Sequence, residues 1–251
     1  MHYLKNTLTT VIFRVDFSNS INVEDASLNK ECISLYPVAQ EETVSENAVQ
    51  TTVNEKGEMI IERSTNKYVN KKYSNRLLSR SITVSPQAVI IEVKDYSSYN
   101  EISKTFITVF DAIRNSNPDV EISRIGMRYI NEIDVTNYKK TARKNYVKSQ
   151  LFESPFDGIL EKAAQARTQH LVELVIDDYR VRCVTGLFNP DYPAAIKRNV
   201  ITLDYDAFIQ GGMSSEEVHS YLDKFHSSIV SLYEASILSK QRELMEIVDE
   251  D

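Results

Sequence analysis

The chain has no tryptophan, and among its 251 residues there are only six glycines, six prolines and two cysteines. No apolar run approaches the ~18 residues that a membrane-spanning helix needs. Each shortage excludes something. Scarce glycine and proline argue against long disordered or low-complexity stretches. There is no Cys-x-x-Cys, which removes a zinc knuckle, and no Gly-x-Ser-x-Gly, which removes a nucleophile elbow. The pair Gly211-Gly212 has no Lys-Ser/Thr after it, so no phosphate-cradling loop is present. Serine, cysteine and zinc hydrolases thereby lose their usual signatures, although a triad gathered from distant residues leaves none. No cofactor or metal is expected.

Excess positive charge is missing as well. The formal net charge is -7, which disfavours duplex nucleic acid as a general partner while leaving room for a local basic patch. The opening Met-His-Tyr-Leu-Lys-Asn has no charged stretch leading into an apolar one, so it does not read as a signal peptide. The expected location is the cytoplasm, with no membrane association. Cys32 and Cys183 sit in apolar, strand-like contexts (Cys-Ile-Ser-Leu and Val-Arg-Cys-Val) and are expected as buried free thiols.

What is present is an ordinary globular balance, 42% hydrophobic and 26% charged, with 14 tyrosines. Tyrosine suits half-buried strand positions, where the ring is covered and the hydroxyl reaches a polar partner. Residues 9–17 alternate, with Val11, Phe13, Val15 and Phe17 on one face and Arg14 and Asp16 on the other. Residues 18–31 are polar and irregular. Residues 32–72 read as a long, partly exposed hairpin around Asn54-Glu55-Lys56-Gly57. Two strands follow over 77–93. A helix then opens at Ser97 or Ser98, with Glu101 placed for a capping box. Residues 121–135 alternate most clearly, with Arg124, Gly126, Arg128, Ile130 and Glu132 on one face. Residues 136–165 are polar, with partial helix. A hairpin pairs His170–Ile176 with Tyr179–Phe188, a strand spans Asn199–Asp206, and a helix starts near Ser214 and runs on through the tail from Lys240.

The expected fold is therefore α+β: antiparallel sheet or sheets with long amphipathic helices packed on one face. Two stretches repeat one plan, a strand, an acidic-aromatic turn, a Ser-Ser cap and a long helix. This suggests a duplicated strand-helix unit. The expected organisation is a first unit over 1–135, a connecting segment over 136–165 and a second unit over 166–251, separate or merged into one domain.

The chemistry-bearing feature is arginine on non-core strand faces: Arg14, Arg124, Arg128, Arg180 and Arg182. In one sheet, these guanidinium groups would converge and could grip a phosphate, a carboxylate or an acidic partner segment. The competing reading is a cross-strand charge ladder with Asp16, Glu92, Glu132, Glu173 and Asp204. Asp204 and Asp206 share a strand face and could hold Mg²⁺, though a strand end before a turn also favours Asp for local hydrogen bonding. His219 and His226 lie seven apart on one helix, too far for one metal ion. His226 reads as a hydrogen-bonded residue at the edge of the core.

Several segments together resemble a known family. They are the opening Tyr-Leu-Lys-Asn-Thr-Leu-Thr-Thr-Val-Ile-Phe-Arg-Val-Asp-Phe, the central Arg-Ile-Gly-Met-Arg-Tyr-Ile-Asn, the late Ile-Thr-Leu-Asp-Tyr-Asp and the helix carrying His226 and Tyr-Glu-Ala-Ser-Ile. The family is an uncharacterised one of sporadically distributed prokaryotic proteins of about this length. Its central strand motif is Gly-Leu/Met-Arg-Tyr-Ile-Asn, with Met here where Leu is expected. The resemblance spans almost the whole chain. It points to Arg124, Gly126, Arg128, Tyr129 and Asn131 as the signature, and to a setting in mobile elements or antiviral defence. Gly126 is expected to mark a bulge.

Three functions remain. The first is a non-enzymatic interaction protein that uses the arginine-bearing face for a protein partner, a second copy, or a small anionic ligand or nucleotide. The second is a nucleotide- or RNA-handling enzyme with Arg128, Asp204 and His226 in its site. The third is a structural subunit with an apolar patch that its own helices leave uncovered.

Overall fold

The computed structural model describes residues 2–53, 57, 59–156, 159 and 165–248. After a two-residue strand β1 (His2–Tyr3), the first alternating stretch forms β2 (Leu8–Phe17). Val11, Phe13 and Val15 are fully buried, and Arg14 is exposed on the other side. A helix, α1 (Ala26–Leu35), runs from the stretch read as irregular into the expected start of the hairpin, which begins at Val38 instead. The carboxylate of Asp25 caps it, accepting from the Leu28 backbone N–H at 2.8 Å. Cys32 is thus on a helix rather than in a strand. Cys32 and Cys183 are both buried and unpaired.

The long hairpin is β3 (Val38–Val53) with β4 (Met59–Ser74), in unbroken register from Val38↔Ser74 to Val53↔Met59. Of its expected turn, only Gly57 lies within the described residues, and its φ of +79° suits glycine. Next come β5 (Arg80–Ser85), β6 (Ala88–Val93), α2 (Tyr99–Ser116) and β7 (Ile122–Asp134). The polar connection holds one short helix, α3 (Lys140–Arg143), and a 3-10 turn at Ser149–Leu151; residues 157, 158 and 160–164 lie outside the described residues. Then follow β8 (His170–Ile176), β9 (Tyr179–Phe188) and β10 (Val200–Met213), which runs well past the expected end at Asp206. The second long helix, α4 (Val218–Ser236), begins four residues after Ser214. The tail does not continue it: α5 (Ser239–Met245) is separate, and β11 (Ile247–Val248) pairs with β1.

Nine strands form one sheet in the order β3-β4-β5-β6-β2-β7-β10-β9-β8, and every pairing is antiparallel. Register sets Val11, Tyr129, Tyr205 and Cys183 side by side on the inner side. Helix side chains meet them there. The Phe106 ring of α2 lies 5.4 Å from Phe13. On α4, Ser236 and His226 hydrogen-bond Tyr205 and Tyr129 at 2.6 and 2.9 Å. Burial of each large apolar side chain in this layer stabilises by roughly 1.5–3 kcal/mol. No helix among the described residues is long and apolar enough to cross a membrane.

The β3/β4 ribbon leaves this body. β4 joins β5 only over Lys71–Ser74, so the pairs from Glu42↔Asn70 outward form a two-stranded arm about 40 Å long at ~3.4 Å per residue. Val49, Val53, Met59 and Ile61 are all more than half exposed on it. Register places all four on one side.

Candidate functional site

The outer side of the central strands carries the arginines, and the register fixes their neighbours. One row runs Ile90, Arg14, Gly126, Phe208, Arg180 across β6, β2, β7, β10 and β9. The next runs Glu92, Ile12, Arg128, Asp206, Arg182, and a third holds Asp16, Arg124 and Gln210. Together they line a shallow cleft of about 530 Å³ on this side of the sheet. Arg14, Arg124, Arg128 and Arg182 line it directly, and Arg180 stands beside it.

Each of the five arginines is engaged by a carboxylate. Arg14 donates to Asp16 at 2.6–3.0 Å. Arg128 makes a two-pronged contact with Asp204 through Nε at 2.8 Å and Nη2 at 2.6 Å. Arg124 lies between Asp206, at 3.3 Å, and Asp16, at 3.7 Å. Arg180 and Arg182 share Glu173 at 3.0 and 3.3 Å. Asp204 is largely buried, so Arg128 supplies the partner that its carboxylate, mostly withdrawn from water, needs. The Asp204 hydrogen bond raises the Arg128 pKa above its ordinary value. Burial raises the Asp206 carboxyl above the usual range, and Arg124 and Arg128 only partly offset this.

Two features of the cleft are absent from any sequence signal. Phe208 forms part of the floor, with the Arg124 and Arg182 guanidinium carbons 5.1 and 5.5 Å from its ring centroid. Gly126 is not a bulge, because the register runs through it without a shift. A Cβ there would lie 2.9 Å from Arg124 Nη2, so the missing side chain is the seat of that guanidinium.

The trio Arg128, Asp204 and His226 is split by the sheet. Arg128 and Asp204 meet on the outer side. His226 packs on the inner side, where Nδ1 is 2.9 Å from the Tyr129 hydroxyl and its ring stacks on Tyr99 at 4.0 Å. Burial lowers its pKa below 6.5, which favours the neutral ring. A second cavity of about 360 Å³ lies there, lined by Tyr96, Tyr99, Tyr129, Asn131, His226 and Tyr233, among others. Asp204 and Asp206 do share a face, as period two requires. Among the described residues, no cluster of His, Cys, Asp or Glu is arranged to hold a metal ion.

Comparison with protein-family models, with curated proteins and with solved structures finds no match to this chain.

Proposed function

We propose that the protein is a non-enzymatic binding protein and that its outer sheet face receives an extended segment of mixed charge from a protein partner. In this reading the two long helices cover the inner face and leave the outer one for the partner. The observation that carries it is the gathering of five arginines and four carboxylates around one cleft that spans β6, β2, β7, β10 and β9. Because every guanidinium is already paired, a bare anion would have to displace a carboxylate and leave it unsatisfied. A peptide segment offering both acceptors and donors re-pairs both partners at once.

The strand order supports a duplication centred on this cleft. Outward from the middle, one half reads β2-β6-β5-β4-β3 and the other β7-β10-β9-β8. Each half thus has its first main-sheet strand innermost and the later ones in reverse order, the first half with one strand more, and a long helix follows the last main-sheet strand of each. Arg14 faces Gly126 where the halves join. The proposed defence setting rests on the family resemblance.

Arg182→Ala tests the reading, since Glu173 keeps Arg180 as its partner. Native mass spectrometry of the protein from its own host is expected to show a bound protein that Arg182→Ala weakens and added salt releases. A partner held equally by the variant and indifferent to salt would overturn it.

The exposed apolar side of the arm favours a second reading, a subunit of a larger assembly. A two-stranded ribbon has little stability of its own in water, and Val49, Val53, Met59 and Ile61 present an uncovered stripe. Here Val53→Lys with Ile61→Lys is expected to reduce the assembly state in light scattering, and an unchanged mass would overturn it.

A further inference from the structure

Arg143 differs from the arginines of the sheet face. It lies on α3 in the connection between the halves, it forms no ion pair among the described residues, and its Nε is buried from solvent without a hydrogen-bond partner. Burial lowers its pKa from the ordinary arginine value, with no compensating group. A guanidinium hydrogen that has lost water and gained nothing is costly, so such a group calls for an occupant.

The space for one is adjacent. Arg143 lines a cavity of about 360 Å³ between the connection and the ends of β9 and β10. Phe152, Leu187 and Ile196 supply apolar lining, and Lys140, Glu153, Gln165 and Asn199 join Arg143 in its polar lining. Among the described residues of the lining the one carboxylate is Glu153, and no ion pair joins it to Arg143. The volume suits a small molecule. The lining combines apolar side chains with the cationic Arg143 and Lys140, so it suits a molecule with an apolar body and an anionic head.

We propose that this cavity binds a small amphipathic anion, with Arg143 gripping its carboxylate or phosphoryl head and Phe152, Leu187 and Ile196 covering its apolar body. A planar guanidinium presents parallel N–H groups to two oxygens, and both head groups offer that pair. The site is separate from the sheet-face cleft and shares no residue with it.

Thermal melting and calorimetry with four probes test this: hexanoate, hexyl phosphate, inorganic phosphate and hexanamide. Hexanoate or hexyl phosphate is expected to raise the melting midpoint, and the one that binds more tightly names the head group. The tighter of the two is expected to bind at least about ten-fold more tightly than hexanamide, which lacks the charge. Arg143→Met removes the unpaired charge, so its midpoint without ligand should not fall, while the response to probe disappears. Ile196→Trp fills the cavity from its exposed rim and should abolish the response with Arg143 in place. The proposal is overturned if neither oxyanion shifts the midpoint, if hexanamide or inorganic phosphate performs as well, or if Arg143→Met keeps the response.

Discussion

Arg124 can lie flat across its own strand only because residue 126 has no side chain. Gly126→Ala should therefore push the guanidinium off Asp206 and Asp16. The displaced atoms are the far end of a flexible side chain, so the stability loss should stay below about 1 kcal/mol, while partner binding at the cleft weakens. Gly186 gives the opposite balance. A Cβ there would lie 2.0 Å from the Thr168 carbonyl oxygen, which is backbone and cannot swing away. Gly186→Ala should lose more than about 3 kcal/mol in urea unfolding. Arg128→Ala strands the buried Asp204 and should cost about 1–3 kcal/mol, of which Asp204→Asn in the same chain recovers part. His226 adds a pH dependence. Its folded pKa is lowered, so its contribution is full above 6.5 and is lost as pH falls from there through the folded value. His226→Gln should flatten that part of the stability–pH curve. All five arginines were legible from period two alone. Asp16, Glu173 and Asp204 were legible as carboxylates of a ladder with them, but Asp206 as a partner and the specific pairings were not, because which residues face one another depends on register between strands far apart in sequence. Arg143 gave no signal, since its isolation depends on what fails to come near it.

At the scale of elements, the sequence was most readable where burial is one-sided. β2, β7, β9 and α2 carry clear periodicity because one face of each meets the core. α1 was hidden because it buries only Leu28 and Cys32, too few positions to set a helical rhythm. The caps were half legible. Ser98 Oγ accepts from the Glu101 N–H as expected, but the Glu101 carboxylate turns to Ser97 and Arg80 instead of closing the box. Near α4 the reverse half forms, with the Ser214 N–H donating to Glu217 Oε2 at 2.9 Å. Ser98→Ala should lower stability by about 1 kcal/mol, measured by chemical denaturation. Ser214→Ala should change little, because it is the backbone of Ser214 that donates.

For the whole molecule, the arm and the sheet should behave as separable parts. Replacing residues 43–69 with a two-residue Asn-Gly turn should leave the melting midpoint of the body nearly unchanged, because among the described residues the arm beyond Lys71–Ser74 pairs with no strand outside the hairpin. The antiparallel sheet was legible from the grouping of strands, but the order of nine strands was not, because nothing local says that β2 sits in the middle. That placement has a kinetic side. β2 is made early in synthesis with Val11, Phe13, Val15 and Phe17 all apolar, yet one neighbour, β6, lies some seventy residues downstream and the other, β7, more than a hundred. A nascent chain must therefore hold a sticky strand unpaired while most of the first half emerges. Folding should be slow for a protein of this size, and it should run most cleanly when something shelters that strand until β7 arrives.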